Sequence, residues 1–195
     1  MRKSILPMLC LTFLGMINVF GQEKTVWTLE PFSKVNLSGN IEVNLIASTQ
    51  PSIEIEINRN VDLSEYKTEV QNGELFFYRK KEFQNQDEPK VVITLGHTGI
   101  HEFDLSGIVK LYSEDVLKQS ELTINGSGMI SGEIQVAARD LQVSLSGISN
   151  LTISGKADNA ELNIDGMGKI SARDLAVSTM QKNADGFAKV KLARN

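Results

Sequence analysis

Histidine is the side chain best suited to moving a proton or holding a transition metal near neutral pH. This chain has two, both in Gly96-His97-Thr98-Gly99-Ile100-His101-Glu102-Phe103-Asp104. With Glu102 and Asp104 beside them they are candidate metal ligands. An i, i+4 pair converges on one ion only on a helix, however, and Gly99 in a strand-rich context argues against a helix. The simpler expectation is a pair of exposed loop histidines.

A second set lies in a repeated phrase, Ala138-Arg139-Asp140-Leu141 and Ala172-Arg173-Asp174-Leu175. With Lys156 and Asp158 it offers acidic metal ligands and a basic proton acceptor, the equipment of a polysaccharide lyase. Charges at corners between strands are more simply solvated. The one cysteine, Cys10, lies in an apolar run at the N-terminus. A chain trimmed of that run has no thiol for catalysis, metal binding or disulfides. No phosphate-cradling glycine loop, Gly-x-Ser-x-Gly elbow or redox motif is present. The expectation is no catalytic, metal-ligating or cofactor-binding residue.

A third set is short and polar: Asp104, Thr123, Ser144 and Asn163, continued by Asn183. These residues recur at nearly constant spacing and form the candidate binding face. They lack the aromatic platforms usual in sugar sites, since the one tryptophan is Trp27 and the tyrosines are Tyr66, Tyr78 and Tyr112.

The elements that must position that face are visible as a repeat. Phe103-Asp104-Leu105-Ser106-Gly107 is followed by Leu122-Thr123-Ile124-Asn125-Gly126, Val143-Ser144-Leu145-Ser146-Gly147, Leu162-Asn163-Ile164-Asp165-Gly166 and a degraded Lys182-Asn183-Ala184-Asp185-Gly186. The glycines are spaced by 19, 21, 19 and 20 residues. A period near 20 residues marks one small unit stacked on copies of itself, because a lone unit cannot bury its own apolar face. Alternation sends the first and third residues of each phrase inward, which predicts ladders through Leu122, Ile124, Val143, Leu145, Leu162 and Ile164. Ser, Asn or Asp before Gly suits a tight corner. Lys182 and Ala184 in the last copy suit a capping repeat.

Upstream, Val35-Asn36-Leu37-Ser38-Gly39 is the same phrase, so the N-terminal half is expected to follow the same plan with longer strands. Pro51 starts the alternating Ile53, Ile55 and Ile57, and a polar corner is expected at Asn58 to Asn60. Asn72-Gly73 predicts a reversal between Tyr66–Val70 and Leu75–Tyr78. Arg79 to Pro89 reads as an exposed loop. Helical turns are conceivable only at Asp62–Tyr66 and Glu114–Leu117.

Arg2 and Lys3, the apolar run Ile5 to Phe20, and Val19-Phe20-Gly21 before Gln22 describe a secretory signal over residues 1–21. Removing Arg2 and Lys3 takes the formal charge from −4 to −6. An acidic chain with no basic stripe is a poor nucleic-acid binder. No second apolar run approaches the ~20 residues of a membrane span. Export without disulfides fits a bacterial envelope.

The combination Phe32-x-x-Val35-x-Leu37-Ser38-Gly39-x-Ile41-x-Val43-x-Leu45, the later Val70-Gln71-Asn72-Gly73-Glu74-Leu75 and the Leu-x-Leu-Ser-Gly phrases resembles the head GIN domain family of putative auto-transporter adhesins, from Phe32 to Leu192. The resemblance implies an exported β-solenoid of a Bacteroidetes-like bacterium with a surface or adhesive role, and it brings no catalytic residues. The chain departs from the auto-transporter description in having no segments that could build a lipid-facing barrel.

These readings converge on one expectation: all-β, a single-stranded right-handed parallel β-helix-like solenoid with coils of roughly 20 residues over residues 22–195. A two-sheet sandwich is the alternative if the glycine period is accidental. The expected function is an exported, non-catalytic binding or adhesion module, periplasmic, surface-bound or secreted. Its partner would be an envelope glycan or protein, with no cofactor, nucleic acid or membrane span. The alternative is a lyase-like β-helix enzyme.

Overall fold

The computed structural model describes residues 23–57, 62–80 and 89–193. The signal segment, the corner at Asn58 to Asn60 and most of the expected loop at Arg79 to Pro89 lie outside them. The described chain is all-β apart from one 3-10 turn, Leu63–Glu65, capped by the Asp62 side chain accepting from the Ser64 N–H. Glu114–Leu117, where a helical turn was conceivable, is strand instead.

The strands are β1 (Glu23–Thr28), β2 (Lys34–Ala47), β3 (Ser52–Ile57), β4 (Tyr66–Gln71), β5 (Glu74–Arg79), β6 (Val91–His97) and β7 (Glu102–Leu192), the last a long run that keeps strand pairing through its corners. All belong to one hydrogen-bonded sheet. β2 is its pivot. Val35, Leu37, Ile41, Val43 and Leu45 alternate inward along it and are buried. On one side of β2, Lys34–Ser38 pairs in parallel with β5 and Ile41–Ala47 with β6. On the other side, Lys34–Leu45 pairs in parallel with Glu102–Ser113, the first pass of β7.

The N-terminal half therefore keeps the repeat's plan only in part. β5 and β6 together make one pass against β2, but β4 runs antiparallel to β5, β3 antiparallel to β6, and β1 antiparallel to β3. The reason is local. Asn72 and Gly73 both have positive φ, of 52° and 77°, which reverses the chain after two residues and forces β4 and β5 antiparallel. The passes also leave sequence order, because β2 sits between β5–β6 and β7 although it precedes both.

Along β7 the corner glycines lie one over the next. A Cβ on Gly107 would stand 2.8 Å from the Gly39 oxygen, on Gly147 2.5 Å from that of Gly128, on Gly166 2.3 Å from that of Gly147, and on Gly186 2.6 Å from that of Gly166. At Gly147 φ is +97°, so both the conformation and the close approach of the neighbouring pass exclude a side chain.

The expected inward residues Leu122, Ile124, Val143, Leu145, Leu162 and Ile164 are all buried, in one continuous core with those of β2, β3, β5 and β6. The register among them needs one correction. The glycine that stacks on Gly107 is Gly128, not Gly126. Ile124-Asn125-Gly126-Ser127-Gly128 is the true counterpart of Val143-Ser144-Leu145-Ser146-Gly147. Gly126 stands where the other passes place Leu105, Leu145 or Ile164, and the side chains of Leu145 and Ile130 fill the space of its missing one. A slip of two residues preserves inward and outward faces, so the alternation alone could not reveal it.

Candidate functional site

Numbered from the corner glycine of each pass, the outward positions fall into columns. Three residues before it stand Asn36, Asp104, Asn125, Ser144, Asn163 and Asn183; one residue before it stand Ser106, Ser127, Ser146, Asp165 and Asp185. These two columns border a groove of about 490 Å³ that runs across the passes over Leu105, Gly126, Leu145 and Ile164.

Of the expected face, Asp104, Ser144, Asn163 and Asn183 line this groove. Thr123 does not. The two-residue slip moves it into the next column, five residues before the glycine, where it borders a separate hollow with Gln142, Glu161 and Gln181. Asn125 takes its place. Sequence reasoning missed Asn125 and the whole second column, although the Ser/Asp-Gly pairs assigned to corners were the available signal.

Hydrogen bonds give the groove its chemical sign. Asn125 Nδ2 donates to Asp104 Oδ1 at 3.0 Å, across neighbouring passes. Asn183 Nδ2 donates to Asp185 Oδ2 at 3.2 Å, and Asn163 Nδ2 to Glu161 Oε1 at 2.9 Å. Ser146 Oγ donates to the Gly126 carbonyl at 3.4 Å. Each of these amides thus spends an N–H on a carboxylate, and the charged groups that line the groove are the Asp104, Asp165 and Asp185 carboxylates, acceptors only. Among the described residues no Lys or Arg lines the groove.

None of the other candidates lines the groove. His97, expected in an exposed loop, ends β6 and is buried, with neither ring nitrogen hydrogen-bonded among the described residues. Pairing of β6 with β2 carries it into the sheet, opposite Ala47. Burial pushes its pKa down, and nearby Asp115 opposes this. His101 is half-buried, its backbone N–H donating to the Ser33 carbonyl at 2.9 Å. Among the described residues no group of His, Cys, Asp and Glu has the arrangement of a metal site. Arg139 is an exposed cation, its Nε 2.7 Å from Asp140 Oδ2 and its Nη2 3.1 Å from Glu121 Oε1. The Asp140 hydrogen bond raises the Arg139 pKa further, and Arg139 in turn holds Asp140 below the usual carboxylate range, with help from Asn159. A guanidinium so held accepts no proton. Arg139, Lys156 and Asp158 share the rim of a shallow hollow with Lys118, apart from the groove.

Solved structures share this fold. A putative adhesin from Bacteroides fragilis matches with a TM-score of 0.77 at 20% identity, covering 88% of this chain and 80% of that one. A putative adhesin from Parabacteroides distasonis matches with a TM-score of 0.75 at 17% identity, covering 88% and 82%. A protein from Parabacteroides distasonis described as a putative lipid binding protein matches with a TM-score of 0.56 at 16% identity, covering 90% and 98%. Among curated proteins none matches. The family model described as "Putative auto-transporter adhesin, head GIN domain" matches residues 31–195, and the chain belongs to that family.

Proposed function

We propose that the chain is an exported, non-catalytic binding module of the bacterial envelope, and that the groove beside the corner glycines is its binding face. The observation that carries this reading is the groove's composition. It spans successive passes, repeats the same polar chemistry roughly every 4.8 Å, and carries three carboxylates and, among the described residues, no cation. Such a strip suits an extended neutral polymer rich in hydroxyl donors, such as an uncharged glycan, and repels an anionic one. The family's adhesin description agrees with a binding role.

The parallel pairing of β2 with β7 and the glycine column support a right-handed parallel β-helix for residues 102–192, with β1, β3 and β4 covering one end. The leader, residues 1–21, directs export, and the mature chain starts at Gln22. N-terminal sequencing of protein from fractionated cells tests this, and a product retained in the membrane from Met1 overturns it.

The binding reading is tested by titrating the purified mature protein with neutral and acidic envelope glycans. Retention of neutral chains is expected. Ser144→Trp and Asn163→Trp, which fill the groove, should weaken it at least ~10-fold, or about 1.4 kcal/mol. Thr123→Trp, in the neighbouring column, should not. Metal-dependent release of unsaturated sugars would overturn the non-catalytic assignment.

A further inference from the structure

The residue that follows each corner glycine of β7 is large and apolar: Ile108, Met129, Ile148, Met167 and Phe187. Because the glycines stack, these five stand in one column, and they are exposed by 39%, 43%, 50%, 52% and 86%. Among the exposed large hydrophobics of the described residues only Val116 lies elsewhere. Scattered apolar residues on a surface are ordinary, but a continuous ridge of them is not.

The flanks of the ridge carry opposite charge. On one side, one residue before each glycine, stand Asp165 and Asp185; on the other, three residues after it, stand Lys110, Lys169 and Lys189. Lys110 approaches Glu42 within the chain at 3.8 Å. Among the described residues no ion pair is formed by Asp165, Asp185, Lys169 or Lys189.

We propose that this ridge is a homodimer interface, packed against the same ridge of a second copy about a two-fold axis parallel to it. That operator keeps each pass level with its counterpart and exchanges the flanks, so Asp165 of one copy faces Lys169 of the other, and Asp185 faces Lys189. A two-fold axis across the middle of the ridge would instead set Asp165 against Ser127, Asp185 against Ser106 and Lys189 against Lys110, with no opposite charges meeting. An anionic membrane is a poorer occupant, because the aspartate flank would repel it. Five passes at about 4.8 Å and three adjacent columns define a strip of roughly 20 Å by 20 Å, or ~400 Å² per copy. This is the size class of a weak, reversible association.

Sedimentation equilibrium of the mature protein from micromolar to submillimolar concentration tests the proposal. A concentration-dependent dimer is expected. Met167→Glu and Ile148→Glu, both at exposed sites that leave thermal melting unchanged, should shift it to monomer. The double reversal Asp165→Lys with Asp185→Lys should weaken association at least ~10-fold. Adding Lys169→Asp and Lys189→Asp should restore it; with the axis across the ridge the first two reversals would cause no such loss, because Asp165 and Asp185 would face serines. A wild type that stays monomeric throughout, a dimer indifferent to the glutamate variants, or a monomer whose ridge binds anionic phosphatidylglycerol vesicles would each overturn the proposal.

Discussion

Gly128 lies so close over Gly107 that a Cβ on it would stand 2.4 Å from the Gly107 oxygen, at a φ of +104°. Backbone cannot retreat from such a contact without separating two paired passes. Gly126, two residues earlier, has no positive φ, and the nearest atoms to its added methyl would be side-chain ones, Leu145 Cδ2 at 2.7 Å and Ile130 Cγ1 at 2.8 Å. Gly128→Ala should therefore cost ~3 kcal/mol or more, combining left-handed strain with a backbone clash, and Gly126→Ala ~1 kcal/mol. Thermal unfolding of the two variants checks this. At 2–4 °C per kcal/mol for a chain of this size, the midpoints should differ by roughly 4–8 °C. Equal midpoints would restore Gly126 as the corner.

The groove column and the core ladder are adjacent in sequence and differ in what a charge would do there. Leu145 is buried, and Ser144 beside it borders the groove. An uncompensated carboxylate in the core costs several kcal/mol, so Leu145→Asp should prevent folding. Ser144→Asp adds a fourth carboxylate to a solvated groove edge already bordered by Asp104, Asp165 and Asp185, and should leave the melting temperature nearly unchanged. Circular dichroism of both variants distinguishes the two faces.

How much of this was readable in the chain depended on which physical rule each feature obeys. The buried set was legible because alternation fixes inward and outward faces regardless of register. The column to which Thr123 belongs was not, because Gly126 imitates a corner while occupying an aliphatic position. The antiparallel pairing in the N-terminal half was half legible: Asn72-Gly73 announced its hairpin, but nothing in the alternation of Ile53, Ile55 and Ile57 says whether β3 meets β6 parallel or antiparallel. The apolar ridge went unread because Ile108, Met129, Ile148 and Met167 resemble inward residues. Only their exposure in the folded chain separates them from Val109 or Ile130.

Ser149 occupies an inward position level with Ile130 and Val109, is almost fully buried, and its hydroxyl has no hydrogen-bond partner among the described residues. Burying an unsatisfied hydroxyl costs ~1–3 kcal/mol. Ser149→Ala removes the hydroxyl without adding volume. It should stabilise the protein by ~1 kcal/mol, raising the melting midpoint by about 2–4 °C. A lowered midpoint would mean that the hydroxyl is satisfied after all.

His97 gives the fold a pH dependence whose sign follows from its burial. Desolvation lowers its pKa below the ordinary value of 6.5, outweighing the attraction of Asp115. Asp115 is itself engaged, its Oδ2 accepting the Ala47 N–H at 2.9 Å. In the unfolded chain the imidazole takes up a proton as pH falls through about 6.5, while in the native state it stays neutral to lower pH. The unfolded state then binds more protons, so stability is complete above about pH 6.5 and declines as pH falls towards the lowered native value, by at most about 1.4 kcal/mol per pH unit. The carboxylates with depressed pKa values, Asp62, Glu69 and Asp140, lose their contribution only at more acidic pH, so they leave this window clear. His97→Gln keeps a polar side chain of similar reach but cannot titrate. Urea unfolding between about pH 5 and 8 should show the wild type losing stability on the acid side and the variant staying flat. An unchanged acid-side decline in His97→Gln would assign the effect to another group.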